Sequence, residues 1–290
     1  PPSSGGTHNI QMLNILEGYD LKSMGHNSAA YIHHLIEAMK VAYADRAAHM
    51  GDPDFTPVPV AQLVSKAYAQ QVREAIDPTR ARSAAEIQSG TFEDTESLDT
   101  THFSVADQYG NVVSNTYTLN FSFGSHIVVP GTGILLNNEM ADFMTKPGTP
   151  NAFGLIESRA NEVAAGKRPL SSMSPTLILK EGQPWLATGS PGGSLIISSV
   201  MQTVLNAMEF DMNIAAAAAA PRVHHQWMPD KLRIESGVSA DTIRLLTVLG
   251  HPIEENVRTL GRTQSIMIED GWFLGATDTR RPSGWVAGAQ

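Results

Sequence analysis

The residue with the most chemical promise in this sequence is Thr100. It follows a polar, acidic stretch from Asp77 to Asp99 that carries Ser83, Ser89, Gly90, Glu93, Asp94, Glu96 and Ser97. That composition reads as an exposed, mobile linker. Thr100 also opens a run, Thr101 to Ala106, of the β-branched and aromatic residues that suit strands. If the bond between Asp99 and Thr100 is cut, Thr100 gains a free α-amine beside its own hydroxyl, and one residue then supplies both nucleophile and base. The amine suits the task because its ordinary pKa, roughly 7.7 to 8.0, lies close to neutrality. A second strand, Val112 to Thr118, follows the turn residues Asp107-Gln108-Tyr109-Gly110-Asn111. A hairpin centred on Tyr109 sets Thr118 opposite Thr100, with Cβ atoms about 5 Å apart. Strand threonines are also common for packing reasons alone, so composition and spacing leave both readings open.

The second feature is Ser190-Pro191-Gly192-Gly193-Ser194, which lies between a strand, Trp185 to Thr188, and an apolar helix, Leu195 to Phe210. A strand, a glycine loop and a helix start in succession expose backbone amides, although glycines also simply begin helices. Around these features the chain reads as mixed α and β. Tyr31, Ile32, Leu35, Ile36, Met39 and Tyr43 fall at helical spacing behind Asn27 or Ser28 as a cap, giving an amphipathic helix over residues 28 to 49. A second helix is expected from Leu63 to Ile76. Thr176 to Lys180 pairs with Trp185 to Thr188 around Glu181-Gly182, and Ser265 to Ile268 pairs with Trp272 to Ala276 around Asp270-Gly271. The alanine run from Ala215 to Ala220 reads as a short helix stopped by Pro221, and Ser239 to Leu249 as a serine-capped helix ended by Gly250.

Composition narrows the function classes. A net charge of -9, from 29 acids against 20 bases, argues against a nucleic-acid binder. The absence of cysteine removes thiolate catalysis, disulfides and Cys-based metal sites. His33-His34 and His224-His225 are read as packing or hydrogen-bonding residues, because adjacent histidines in a strand face opposite ways and lack carboxylate companions; no metal and no cofactor is expected. No apolar run reaches the roughly 20 residues of a membrane span. The opening Pro-Pro-Ser-Ser-Gly-Gly reads as the middle of a longer protein, so localisation is not legible from this end.

Several blocks together resemble the gamma-glutamyltransferase family. Thr100-Thr101-His102-Phe103-Ser104-Val105-Ala106-Asp107 looks like the processed start of its small subunit. Tyr117-Thr118-Leu119-Asn120, Gly133 to Met140, Arg168-Pro169-Leu170-Ser171-Ser172-Met173-Ser174-Pro175 and Gly189 to Ser194 follow in the family's order. Pro1 to Asp54, including Ala44-Asp45-Arg46, resembles the end of the large subunit.

The resemblance implies an α+β N-terminal-nucleophile hydrolase fold, a four-layer αββα sandwich, here incomplete because the upstream large-subunit portion is absent. It implies that residues 1–99 are the end of the large subunit, with a processing linker over about 77–99, and that 100–290 are the small, catalytic subunit. It makes Thr100 the nucleophile, Thr118 its hydroxyl partner, and the Gly192 and Gly193 amides the oxyanion hole. It assigns the substrate's α-amino group to Asn120, Glu139 and Asp142, and its α-carboxylate to Ser171 and Ser172. The implied activity is self-processing followed by cleavage of gamma-glutamyl amides such as glutathione, with transfer to water or to amino acid or dipeptide acceptors. Implied localisation is periplasmic or extracellular.

Three departures stand out. Phe153 takes the place of a tyrosine in a lid over the site, Leu195 follows the glycine loop where an arginine is common, and the arginine that clamps the substrate carboxylate belongs to the upstream portion. Two alternatives follow: a related glutaryl or cephalosporin-type acylase, and a truncated fragment without activity of its own. Glu139 and Asp142 favour a substrate with a cation, and so favour gamma-glutamyl over glutaryl.

Overall fold

The computed structural model describes residues 1–87, 100–144, 146, 149–151, 154–254, 259–280 and 284–288. In chain order the helices are α1 (Gly5–Leu16), α2 (Leu21–Met24), α3 (Ala29–His49), α4 (Val60–Leu63), α5 (Lys66–Ala75), α6 (Leu195–Met208), α7 (Ile214–Ala219) and α8 (Ala240–Val248). The strands are β1 (Thr101–Ala106), β2 (Val112–Tyr117), β3 (Thr176–Lys180), β4 (Gln183–Gly189), β5 (Val223–His224), β6 (Arg233–Ile234), β7 (Gln264–Glu269) and β8 (Trp272–Thr277). They pack into two compact units whose segments interleave along the sequence.

The first unit comprises Pro1–Ser97, Glu139–Ser171 and Pro221–Arg258. At its centre lies α3, which starts where Ser28 Oγ accepts the Tyr31 amide at 3.1 Å. Its hydrophobic stripe is as expected, but the helix is buried on almost every side, including His33, Glu37, Lys40 and Arg46. Burial of charged side chains is tolerable here because they are paired: Lys40 and Arg82 both clasp the Glu37 carboxylate. The helix expected from Leu63 to Ile76 is two pieces, since Ser65 caps α5 by accepting the Tyr68 amide at 3.1 Å and interrupts the periodic run. The α1 helix was not legible as a helix, because Gly5 and Gly6 are poor helix formers and only its buried face, with Met12, Ile15 and Leu16, holds it.

Residues 77–87 of the expected exposed linker lie within the described part of the chain. Residues 77–87 are anchored in this unit: the Ala81 amide donates to Leu249 O at 2.7 Å, and Trp227 Nε1 donates to the carbonyls of Ala84 and Ile87 at 3.0 and 2.9 Å. Ser83 and Glu86 form a reciprocal capping box around the short turn Ala84–Glu86. Polar composition misled here because these residues serve as caps, while the small Ala81 and Ala84 supply the burial. The remainder of the expected linker, 88–99, lies outside the described residues.

The second unit comprises Leu98–Asn138, Ser172–Ala220 and Thr259–Gln290. Its main sheet is antiparallel, in the order β3-β4-β7-β8. Leu186 of β4, Met267 of β7 and Ala276 of β8 pack with Ile196, Val200 and Val204 of α6 and with Ala217 and Ala218 of α7 to make the core. The alanine run thus forms the short helix that its composition suggests, small enough to lie close on the sheet. Between Ile178 and Leu179 the β3–β4 register shifts, opposite Pro184, which has no amide to give the ladder. The hairpin β1–β2 has the expected register, with Thr101 opposite Tyr117, and packs on β4 and β7. Ser114 Oγ donates to Thr188 O at 2.9 Å and Ser104 Oγ to Gln264 O at 3.2 Å, so the hairpin is bonded to the sheet's backbone as well as stacked on it.

Candidate active site

In the second unit Thr100 stands one residue before β1, half-buried, and its hydroxyl lies 3.4 Å from the Thr118 hydroxyl across the hairpin. That is long for an O–H···O bond. Thr118 is itself fixed: its Oγ1 accepts the Asn120 amide at 2.8 Å. This short loop carries Asn120 in a left-handed backbone conformation, φ 72°, where asparagine is among the better-tolerated residues. Asn120 is buried and its Nδ2 donates to Asn138 O at 3.2 Å.

Thr100 and Pro191 line one cavity of about 340 Å³, together with Phe103, Ser104, Arg262 and Gln264. Pro191, the residue before the two glycines, therefore borders the same space as the candidate nucleophile, while Gly192 and Gly193 are not among the residues that line it. Ser190 Oγ donates to Pro191 O at 2.6 Å and accepts the Arg262 amide at 2.8 Å, which ties the loop at its base. Gly192 and Gly193 take φ values of 134° and 54°, both in the region that side chains resist, and α6 begins directly behind them. Ser172 is buried in this unit, its carbonyl accepting from Ser174 Oγ at 3.0 Å.

The first unit holds the other three expected residues. Glu139 and Asp142 sit at the two ends of one short helical turn, and their carboxyl groups hydrogen-bond to each other. Two carboxylates that close share a proton. Burial, reinforced by Glu139, pushes the Asp142 carboxyl up to about 8, and burial raises Glu139 as well. Such a pair, poised between one and two negative charges, suits a cation that would replace the shared proton. Ser171 is held by its backbone: its carbonyl accepts from Ser4 N and Ser4 Oγ, both at 2.8 Å, and its amide donates to Pro2 O at 3.2 Å. The expected lid residue Phe153 lies outside the described residues.

The profile of the gamma-glutamyltranspeptidase family matches residues 1–288. This chain belongs to the gamma-glutamyltranspeptidase family. It is 50% identical over 289 residues to the glutathione hydrolase proenzyme of Escherichia coli K12, covering 99% of this chain and 50% of that protein. The chain thus spans about half the length of the curated relatives it matches. Among solved structures, an acivicin-inhibited gamma-glutamyltranspeptidase aligns at 49% identity and a TM-score of 0.61, over 63% of this chain and 100% of that one. The cephalosporin acylase of Bacillus halodurans aligns at 27% identity and a TM-score of 0.79, over 99% of this chain and 50% of that one. The α+β N-terminal-nucleophile hydrolase fold is the one this chain shares with them.

Sequence reasoning missed two parts of this chain. His102, one turn of the pleat from Thr100, is buried, with Nδ1 2.7 Å from Thr116 Oγ1 and burial holding its imidazole down at about 4. Arg46, Glu157 and Asn161 form a buried cluster behind Asp142. A histidine in a strand and an Ala-Asp-Arg run carry no local signal of either role. The paired histidines are hydrogen-bonded and packed: His224 lies edge-on to Tyr43, and His225 meets Asp230 at 3.1 Å. His33, Glu37 and His251 bring possible ligand atoms within 4.8 Å of one another. The Glu37 carboxylate is already held by Lys40 and Arg82, and His33 Nε2–H donates to Asp77 O, so its Nδ1 accepts from His251 Nε2–H at 2.8 Å. That arrangement fits a network of neutral imidazoles better than a cation site.

Proposed function

We propose that this chain is the catalytic part of a self-processing gamma-glutamyltransferase with Thr100 as its N-terminal nucleophile. The observation that carries the reading is the Thr100 hydroxyl set against Thr118, on a cavity that the Pro191 loop also lines, in a member of this family. Residues 1–99 correspond in this reading to the end of the large subunit and 100–290 to the small subunit.

Processing begins when the Thr100 hydroxyl attacks the Asp99 carbonyl carbon; the acyl group passes from nitrogen to oxygen, and water hydrolyses the ester, leaving a free α-amine on Thr100. In turnover, Thr100 Oγ1 attacks the carbonyl of a gamma-glutamyl amide such as glutathione, and its proton passes to the α-amine. The Gly192 and Gly193 amides take the developing oxyanion, a contribution of about 3–4 kcal/mol per well-placed donor in comparable sites. Collapse breaks the C–N bond, and the leaving amine departs with the proton from the α-ammonium. Water, or an acceptor amino acid or dipeptide amine, then attacks the ester and returns a proton to the threonine oxygen by the same route. Family likeness gives Asn120, Glu139 and Asp142 the α-ammonium, and Ser171 and Ser172 the α-carboxylate. It also supports a periplasmic or extracellular location, which cell fractionation tests.

The likeness to a cephalosporin acylase favours one second reading, an acylase that takes glutaryl amides. A glutaryl group has no ammonium for Glu139 and Asp142 to meet. Full-length protein and its Thr100→Ala variant, given a gamma-glutamyl anilide and a glutaryl anilide, decide the matter. Thr100-dependent release of aniline is expected to be much faster from the gamma-glutamyl compound than from the glutaryl compound, with intact mass showing two fragments that meet at Thr100 in the wild type and one species in the variant. Equal activity of both proteins would overturn the reading.

A further inference from the structure

One amide side chain in the first unit touches both segments that carry the expected recognition residues. Asn161 is fully buried, and its Nδ2 donates to the backbone carbonyl of Asp142 at 2.6 Å while its Oδ1 accepts the amide of Leu170, the residue before Ser171, at 3.0 Å. The other Nδ2 hydrogen goes to Glu157 Oε2. Glu157 Oε1 accepts from Arg46 Nη1 at 3.1 Å, and Arg46 Nε donates to Ser4 Oγ at 3.1 Å. Ser4 in turn donates to Ser171 O through both its amide and its hydroxyl. The bonds close a ring through Asn161, Leu170 and Ser171, Ser4, Arg46 and Glu157, and the Asp142 carbonyl is attached to that ring through Asn161.

We propose that Arg46, Glu157 and Asn161 are positioning residues that fix the spacing between the acidic turn Glu139–Asp142 and Ser171, and with it the selection of a substrate bearing both an α-ammonium and an α-carboxylate. The inference rests on the reading above. Its physical basis is that an ammonium and a carboxylate on one carbon are about 2.5 to 3.5 Å apart, so the groups that meet them must hold their separation to a fraction of an ångström. A turn and a loop joined only by surface contacts would not. Buried ion pairs contribute little net stability, since desolvation cancels most of the attraction. Arg46 with Glu157 is therefore better explained as a device that orients Asn161 than as a source of stability. Asn161 must present its nitrogen to Asp142 and its oxygen to Leu170, because the Asp142 carbonyl can only accept and the Leu170 amide can only donate, which forbids the flipped amide.

The test compares Asn161→Ala, Glu157→Gln and Arg46→Lys in the full-length protein. Each is assayed with a gamma-glutamyl anilide and with a glutaryl anilide, which lacks the ammonium. Asn161→Ala and Glu157→Gln are expected to raise KM for the gamma-glutamyl compound about tenfold or more and change kcat about threefold or less. The preference for gamma-glutamyl over glutaryl should fall by a similar factor in both, whereas Arg46→Lys, which keeps the charge beside Glu157, should retain part of it. A purely structural role would lower activity on both anilides together. If Asn161→Ala does not fold, Glu157→Gln decides, since it changes one atom for another of the same size. Retention of the preference within about twofold in Glu157→Gln, in a protein whose wild type is active and Thr100-dependent, overturns this inference and leaves the proposed activity standing. A wild type inactive on both anilides fails the proposed activity instead.

Discussion

The imidazole of His102 occupies the space that a side chain at Gly189 would need: a Cβ built there meets the ring at 2.3 Å. Gly189 ends β4 and precedes the Ser190–Ser194 loop, while His102 lies two residues after Thr100. The strand behind the candidate nucleophile and the strand leading into the glycine loop are thus fitted to each other at one point within the second unit.

Gly189→Ala is accordingly expected to cost about 1–3 kcal/mol through overpacking. Because backbone and ring must both shift, activity on a gamma-glutamyl anilide should fall more than stability alone explains. Urea denaturation read beside initial rates at a temperature where both proteins are folded checks this. An Ala variant of full activity would show that the contact is not fitted.

Thr118→Val keeps shape and removes the hydroxyl that faces Thr100 and accepts the Asn120 amide. Loss of those bonds is worth about 1.5–3 kcal/mol, or roughly ten- to a hundredfold in rate. Self-cleavage followed by mass and turnover of the cleaved protein should both slow, whereas Thr118→Ser should recover most of each.

Acid should destabilise the chain well above the usual carboxylate range. Burial lowers His8, His102 and His224 to about 4 and His251 to about 2. Each is neutral in the fold and charges more readily unfolded, so stability is complete above pH about 6.5 and is lost as pH falls toward 4. Urea midpoints measured from pH 7.5 to 4.5 should decline, and His102→Asn should flatten part of the decline.

The acidic turn should act in the opposite sense. Asp142, raised to about 8, binds its proton more tightly folded than unfolded, so its contribution is complete below pH about 4 and is lost as pH rises through 8. A substrate ammonium that displaces the proton should bind better as pH rises from 6 to 8, giving a falling KM. Asp142→Asn should raise KM and remove that slope, which pH-dependent kinetics on the anilide reads directly.

Much of the second unit is written in local pattern. The β1–β2 register follows from turn residues placed around Tyr109, and α6 and α7 follow from apolar and alanine-rich runs with their breakers. The first unit was harder to read. Its α1 helix starts on two glycines and its 77–87 segment is polar, yet both are held by distant partners such as Leu249 and Trp227. The site divides the same way. Thr100, Thr118 and the glycine loop stand out by chemistry, whereas Asn161 and Glu157 matter through contacts with residues 9 and 111 positions away, Leu170 and Arg46, which no spacing rule could single out.

Helices α3 and α6 are each enclosed on nearly all sides, one in each unit. Their mid-helix amides can meet solvent only when the surrounding unit opens, so deuterium uptake at Met39 and at Val200 gives two separate clocks. A single exchange experiment can therefore time the loosening of each half on its own, and tell whether acid or alkali reaches one before the other.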